Sequence, residues 1–109
     1  MDFNLVVVAG RLAAVPELRT VADVTAVRFL VTVRAEHPTS RVDVLPVTLS
    51  NPTPDVVDRL GRPGDRVWVA GRVQRRFWTD VGERRNRLDI VAHQLEFPLP
   101  GRPTGRWLV

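Results

Sequence analysis

The sequence contains no cysteine. This absence excludes disulfide bonds, thiolate metal sites and cysteine nucleophiles, and it agrees with a reducing compartment. No run of about 18 apolar residues occurs, so we expect no membrane-spanning helix. The apolar run near the N-terminus, Leu5 to Ala9, is short and follows an acidic residue, which predicts a strand and not a signal peptide. We therefore expect a soluble, cytoplasmic protein that makes no contact with a membrane.

Lysine is also absent, so all 16 basic residues are arginine; they stand against 12 acidic residues and give a formal net charge of +4. The arginine side chain forks onto phosphate oxygens and stacks on flat rings, both useful against unpaired nucleotides. A codon bias in a GC-rich genome is the simpler explanation of the missing lysine. Composition alone therefore favours a nucleic-acid partner only slightly.

Residues that could support catalysis are sparse. His37 and His93 stand alone, there is no His-x-x-x-His spacing, and no glycine-rich phosphate loop occurs. Asp43, Asp80 and Asp89 are better explained as partners of arginines. We expect a binding protein and not an enzyme, with no metal and no cofactor.

The hydrophobic pattern predicts five strands and one helix. The first strand, Phe3 to Leu12, carries valines on both faces, so we expect its second apolar face to meet another subunit. A polar run, Glu17 to Thr20, interrupts the pattern, and Ala22-Asp23 predicts a turn. The second strand alternates so that Val27, Phe29, Val31 and Val33 face the core.

A third strand covers Val44 to Ser50, and Pro46 within it requires an edge position or a bulge. Thr53 as N-cap and Pro54 at the first helical position then predict a short helix that ends at Gly61. The fourth strand, Arg66 to Gln74, continues to Asp80, reverses at Val81-Gly82-Glu83 and returns from Arg84 to Leu95. The last two strands thus form a long hairpin.

This order of elements predicts an all-β domain: a five-stranded OB-fold barrel with one short helix between strands 3 and 4 and an extended hairpin of strands 4 and 5. An SH3-like barrel or a small open sandwich would not explain the place of the helix. We assign residues 1–97 to the domain and the Pro-, Gly- and Arg-containing residues 98–109 to a C-terminal tail, in which Trp107 has no evident core to join.

Several segments resemble the bacterial single-stranded DNA-binding proteins over about residues 3 to 97. The segments are Asn4 with Val6 to Leu12, Pro16 to Thr20, Gly64 to Val67, Val69 to Val73, Arg75 to Asp80 and Leu88 to Ala92. The resemblance implies an OB-fold, single-stranded DNA as partner, and a homotetramer or dimer assembled partly through the first strands. It also implies a place in replication, recombination or repair, with possible replication or recombination proteins as partners, and a bacterial, nucleoid-associated location.

The chain departs from this family in two respects. Members hold DNA on several aromatic side chains, whereas here only Trp78 occupies such a position, and His37, Val44 and Ser50 occupy the others. Members recruit enzymes through an acidic C-terminal tip, whereas no acidic residue follows Glu96 in this sequence. In its basic, less aromatic character the chain is also similar to primosomal replication protein B.

The hairpin supplies both features that a non-specific binder of single strands needs, namely cations for the phosphates and a flat ring for a base. The predicted DNA-binding residues are Trp78, Arg72, Arg75, Arg76, Arg84, Arg85, Arg87, Arg28, Arg34 and His37. The predicted oligomer-interface residues are Leu5, Val6, Val8 and Trp68. The alternative hypothesis is an OB-fold relative that acts mainly as a protein-interaction or primosome-type module and binds DNA weakly, which the few aromatics and Trp107 would favour.

Overall fold

The structure is a computed structural model that describes residues 1–98, apart from the side chain of Val21. The fold is all-β with one short helix. In chain order the elements are β1 (Val6–Leu12), β2 (Glu17–Val21), β3 (Val24–Ala35), β4 (Arg41–Ser50), α1 (Pro54–Asp58), β5 (Arg66–Asp80) and β6 (Glu83–Glu96). No helix in the described part is long and apolar enough to cross a membrane.

The strands are joined in the order β1-β5-β6-β4-β3-β2, and a further pairing joins β1 to β3. That pairing is short, Arg11 with Thr32 and Leu12 with Val31. It closes a ring of hydrogen-bonded strands from which only β2 is left out. All neighbours in the ring are antiparallel except β4 and β6, which pair in parallel.

The prediction of five strands was wrong, because residues 17–21 form a sixth. β2 pairs with the first half of β3, from Glu17 opposite Arg28 to Val21 opposite Val24. Its residues 17–20 are exposed, so β2 has no apolar face that could have revealed it in the sequence. Backbone pairing to β3 holds it in place. The predicted turn at Ala22-Asp23 is confirmed, with φ of 50° and 63° at the two residues.

The core fills the inside of the ring and consists mainly of valines. Val27, Phe29 and Val31 of β3 are buried and Val33 packs against them, as the alternation predicts. Val47 and Leu49 of β4, and Val67 and Val69 of β5, are also buried. Pro46 pairs with Leu30 of β3, while β6 reaches β4 only at Val47 and Thr48. Of the two alternatives predicted for Pro46, an edge position or a bulge, the structure has the edge, because β6 does not pair with this residue.

The helix begins as predicted and ends early. The Thr53 hydroxyl accepts a hydrogen bond from the Val56 amide at 3.3 Å, and Pro54 follows at the start of the helix. The helix ends at Asp58 with Arg59 as its C-cap, before Gly61. Val56 is buried in the core and Leu60 packs against it. The element is too short to do more than cover one end of the ring.

The hairpin of β5 and β6 is the longest feature of the fold, paired from Trp68 opposite Glu96 to Asp80 opposite Glu83. A bulge at Ala70 and Gly71 interrupts the register. From residue 74 to residue 86 every residue is exposed. We call residues 74–89 the arm; apart from Arg87 and the buried Asp89, all its residues are exposed.

Candidate nucleic-acid interface

The arm has two faces of different composition. Residues opposite each other in an antiparallel pair point to the same side, and successive residues point to opposite sides. Arg76 is opposite Arg87 and Trp78 is opposite Arg85, which places these four side chains on one face, called here the groove face. Arg75 is opposite Leu88 and Phe77 is opposite Asn86 on the other, called here the back face.

The groove face closes one wall of a groove of about 470 Å³. Four strands each contribute one arginine to this groove, and Trp78 also lines it. The lining residues are Arg19 of β2, Val24, Ala26 and Arg28 of β3, Thr48 and Ser50 of β4, Arg76 and Trp78 of β5, and Arg87 of β6. Residues far apart in sequence thus meet because the ring brings the outer faces of β3, β4 and β6 beside the arm.

Trp78 presents its indole to this groove instead of burying it. The Arg87 guanidinium lies over one face of the indole, with its central carbon 5.6 Å from the ring centroid of Trp78. Such a cation over an indole face is attractive. With 39% of its surface exposed, Trp78 leaves flat area available to a ligand.

Asp89 does not itself line the groove, but it pairs with two of the arginines that do. Its side chain is only 5% exposed, and its Oδ2 lies 3.5 Å from Nη1 of Arg76 and 4.0 Å from Nη2 of Arg87. The Thr48 hydroxyl donates to the same oxygen at 3.3 Å. Oδ1 of Asp89 and Nε of Arg87 are buried and have no hydrogen-bond partner among residues 1–98.

The groove keeps a positive charge after its internal ion pairs are counted. Arg19 contacts Glu17 at 2.7 Å, and Asp89 is shared by Arg76 and Arg87. Within the described chain Arg28 makes no ion pair. Four arginines therefore face two carboxylates, which suits an anionic ligand.

A smaller recess of about 190 Å³ continues the groove along β5. Arg72 lies in it, together with Gln74, Arg76 and Val91. The Arg72 guanidinium is 2.6 Å from Nε2 of His93 and 3.4 Å from the Gln74 side-chain oxygen. Neither partner is acidic, so Arg72 adds its full charge to this end.

The structure distributes the predicted DNA-binding residues over several places. Arg28, Arg76, Arg87 and Trp78 line the groove, and Arg72 lines the recess. Arg85 shares the groove face but lies 3.7 Å from Asp80 and 3.3 Å from Glu83. Arg75 and Arg84 lie on the back face. Arg34, at the end of β3, and His37, in the following loop, are exposed and do not line the groove.

Two polar residues of the groove, Arg19 and Thr48, escaped the sequence prediction. Arg19 lies on β2, the strand that was missed. Thr48 was placed on the outer face, and the structure shows it buried there beside Asp89. The general prediction that the aspartates pair with arginines is confirmed: Asp43 lies 3.0 Å from Arg41, Asp80 pairs with Arg85, and Asp89 with Arg76 and Arg87. The convergence of Arg76 and Arg87 on one carboxylate had no signal in the sequence.

The predicted interface residues are divided between the core and the surface. Val8 is 7% exposed and belongs to the core, so the outward position expected of it is held by Val7 instead. Leu5 and Val7 are each 64% exposed, and Val6 is half-buried. Trp68 is half-buried on the outer side of β5, opposite Ala9 of β1 and Glu96 of β6. The valines of β1 thus alternate between the two faces.

The tail residues 99–109, including Trp107, lie outside the described residues. Among residues 1–98 no group of three or more His, Cys, Asp or Glu side chains could hold a metal ion.

Comparison with known proteins agrees with this geometry. The profile of the single-strand binding protein family matches residues 3–98. One similar solved structure is described as "Plasmodium falciparum SSB complex with ssDNA"; it has a TM-score of 0.75 and 19% sequence identity, and the match covers 90% of this chain and 97% of that one. No curated protein matches the chain. The likeness to the solved structure shows the fold, and the profile match confirms the resemblance seen in the sequence. The chain belongs to the single-strand binding protein family.

Proposed function

We propose that the protein binds single-stranded DNA in the arginine-lined groove, without preference for base sequence. The observation that carries this proposal is the meeting of Arg19, Arg28, Arg76 and Arg87 beside the exposed indole of Trp78. Family membership supports it, as does the Plasmodium falciparum structure, which is a complex with single-stranded DNA. The protein acts by binding and not by catalysis.

The groove offers the two interactions that hold unpaired nucleotides. Arg28 and Arg72 contact phosphates, since neither is neutralised by a carboxylate within residues 1–98. A base stacks on the exposed face of Trp78, a contact worth roughly 1–3 kcal/mol. Neither interaction reads the edge of a base, so binding is insensitive to sequence.

We further infer that the closed ring is the expected OB barrel, to which β2 adds a sixth strand. The chain forms a homo-oligomer, a tetramer or a dimer, through the exposed apolar residues of β1. It acts in the bacterial cytoplasm, in DNA replication, recombination or repair. Leu5 and Val7 support the oligomer, because their outward side chains leave an apolar surface for a second subunit.

The arginine contacts are tested by titrating an oligothymidylate with the variants Arg28→Gln and Arg72→Gln at several salt concentrations. On the single-strand rule each lost phosphate contact makes the slope of log affinity against log salt shallower by about 0.7. Arg62→Gln is the matched control, because Arg62 is exposed on the loop between α1 and β5 and does not line the groove. It should change binding little.

The stacking contact is tested by intrinsic fluorescence. A base on Trp78 should quench the emission, and the quenching should disappear in Trp78→Phe, which retains Trp68 and Trp107. Affinity unaltered by salt, with no quenching that depends on Trp78, would refute the proposal. That result would favour the alternative of a protein-interaction module with weak DNA binding.

A further inference from the structure

The back face of the arm carries an unused aromatic surface. Phe77 is 57% exposed and Leu88, opposite Arg75, is 54% exposed. The Arg84 guanidinium carbon lies 5.6 Å from the centroid of the Phe77 ring. Ring and guanidinium thus repeat, on this side, the pairing of Trp78 with Arg87.

The charges of the back face are not neutralised by the protein. Arg75 bonds to the side-chain oxygen of Asn86, which is uncharged. Arg84 has only the Phe77 ring as a partner, and neither arginine makes an ion pair within residues 1–98. On the groove face, by contrast, Asp80, Glu83 and Asp89 offset most of the arginine charge of the hairpin. The positive charges of Arg75 and Arg84 are therefore available to an anionic ligand.

We propose that the back face is a second binding site for single-stranded DNA, distinct from the groove. Phe77 stacks a base there, while Arg75 and Arg84 contact the flanking phosphates. This inference rests on the proposed function and extends it. Either one DNA strand passes around the arm and contacts both faces, or two segments of DNA strand occupy one arm.

The composition of this face favours nucleic acid over a second copy of the chain. In a symmetric contact between two copies the same patch meets itself, which would set Arg75 and Arg84 against their own equivalents. Such like charges repel. A phosphate backbone neutralises both arginines, and a base covers the ring.

The test compares the double variant Phe77→Ala/Arg84→Gln with the native protein on oligothymidylates of two lengths. An OB-fold covers about 4–16 nucleotides, so an oligomer of about 8 fits one face, and one of about 35 has length to spare for both. Binding of the short oligomer is read from Trp78 quenching, which reports the groove alone. Binding of the long oligomer is read from fluorescence anisotropy of an end label.

We expect the double variant to bind the long oligomer about tenfold more weakly, as for the loss of one stacked base and one phosphate contact, and the short one as before. Both residues are exposed, so the variant should fold. Arg62→Gln in the native background controls for the change in net charge. Equal binding of the long oligomer by variant and native protein would overturn the second site, as would a change in molar mass without a change in DNA binding.

The same experiment separates this failure from failure of the groove. Arg28→Gln and Arg72→Gln, which keep Trp78 as the reporter, should weaken binding of the short oligomer whether or not the back face binds DNA. If they weaken it and the back-face variant has no effect, only the second site is lost. If they have no effect either, the proposed function itself is wrong.

Discussion

Asp89 places a buried negative charge next to two arginines of a groove that we propose to bind a polyanion. Its carboxylate opposes the phosphates by simple charge, yet it also fixes Arg76 and Arg87 where they face the groove. Long arginine side chains lose considerable rotamer freedom when they bind, and a partner that orders them beforehand reduces that cost. Because Asp89 is buried and hydrogen-bonded to Thr48, its position is fixed by the sheet and not by the arginines.

These two effects of Asp89 predict opposite results for Asp89→Asn. If ordering the arginines is the larger effect, the variant binds oligothymidylate about fivefold more weakly, a loss of about 1 kcal/mol. We expect this outcome, together with a weaker Trp78 signal, because Arg87 covers part of the indole. Glu83→Gln is the control, since Glu83 is an exposed carboxylate on the same face. This variant should bind oligothymidylate slightly more tightly than the native protein, because it lacks one negative charge. Tighter binding by Asp89→Asn would show that Asp89 acts only as a repelling charge.

The sequence identified single residues well where one periodic pattern decides their position. The odd-numbered residues of β3 follow from the alternation of a strand, whereas Trp78 was singled out by the family resemblance and the basic hairpin around it. Arg75 and Arg84 could be assigned to the hairpin but not to its back face, because the face depends on the register and on the bulge at Ala70 and Gly71. Asp89 was recognised as an arginine partner, but its burial depends on Thr48 of a distant strand.

At the scale of elements, β1 is the strand that closes the ring between β5 and β3. The closure needs backbones to approach closely at Gly10, where an added Cβ would lie 2.1 Å from the carbonyl oxygen of Thr32. The contact partner is backbone and cannot rotate away. Glycine is therefore required at this position by packing and not by its dihedral angles.

We expect Gly10→Ala to destabilise the fold by about 3 kcal/mol or more, since either β1 or β3 must shift. Gly64→Ala is the comparison, because a Cβ at Gly64 meets nothing within 4 Å and only its φ of +92° causes strain. That change should cost about 1 kcal/mol. Denaturant unfolding followed by circular dichroism gives both values. Similar losses in the two variants would mean that the ring tolerates a wider gap at β1.

Elements with one apolar face were predicted from the sequence, and β2 was not. The prediction failed because residues 17–20 are exposed, so the hydrophobic pattern carries no information about them. The strand exists because the N-terminal half of β3 offers unpaired backbone groups beyond the short contact with β1. The consequence reaches the site, since Arg19 enters the groove only because β2 is a strand.

At the scale of the whole molecule, the groove and the apolar surface of β1 lie on different strands. The groove is lined by β2, β3, β4, β5 and β6, whereas Leu5 and Val7 belong to the N-terminal segment and β1. Assembly and DNA binding can therefore be disrupted one at a time. The alternation of β1 indicated its two apolar faces, but only the structure shows that Val8 faces the core and Val7 the outside.

Val7→Arg tests the proposed oligomer. The side chain is 64% exposed opposite Ala70 of β5, so the change should leave the fold intact and place a charge on the apolar surface. We expect light scattering to give a smaller molar mass than for the native protein, with an unchanged circular dichroism spectrum and unchanged Trp78 quenching by a short oligothymidylate. Val15→Arg, at another valine that is 75% exposed, controls for the added charge and should leave the mass as it was. If Val7→Arg keeps the molar mass of the native protein, the subunit contact must lie elsewhere, because a buried, unpaired arginine at an interface costs several kcal/mol.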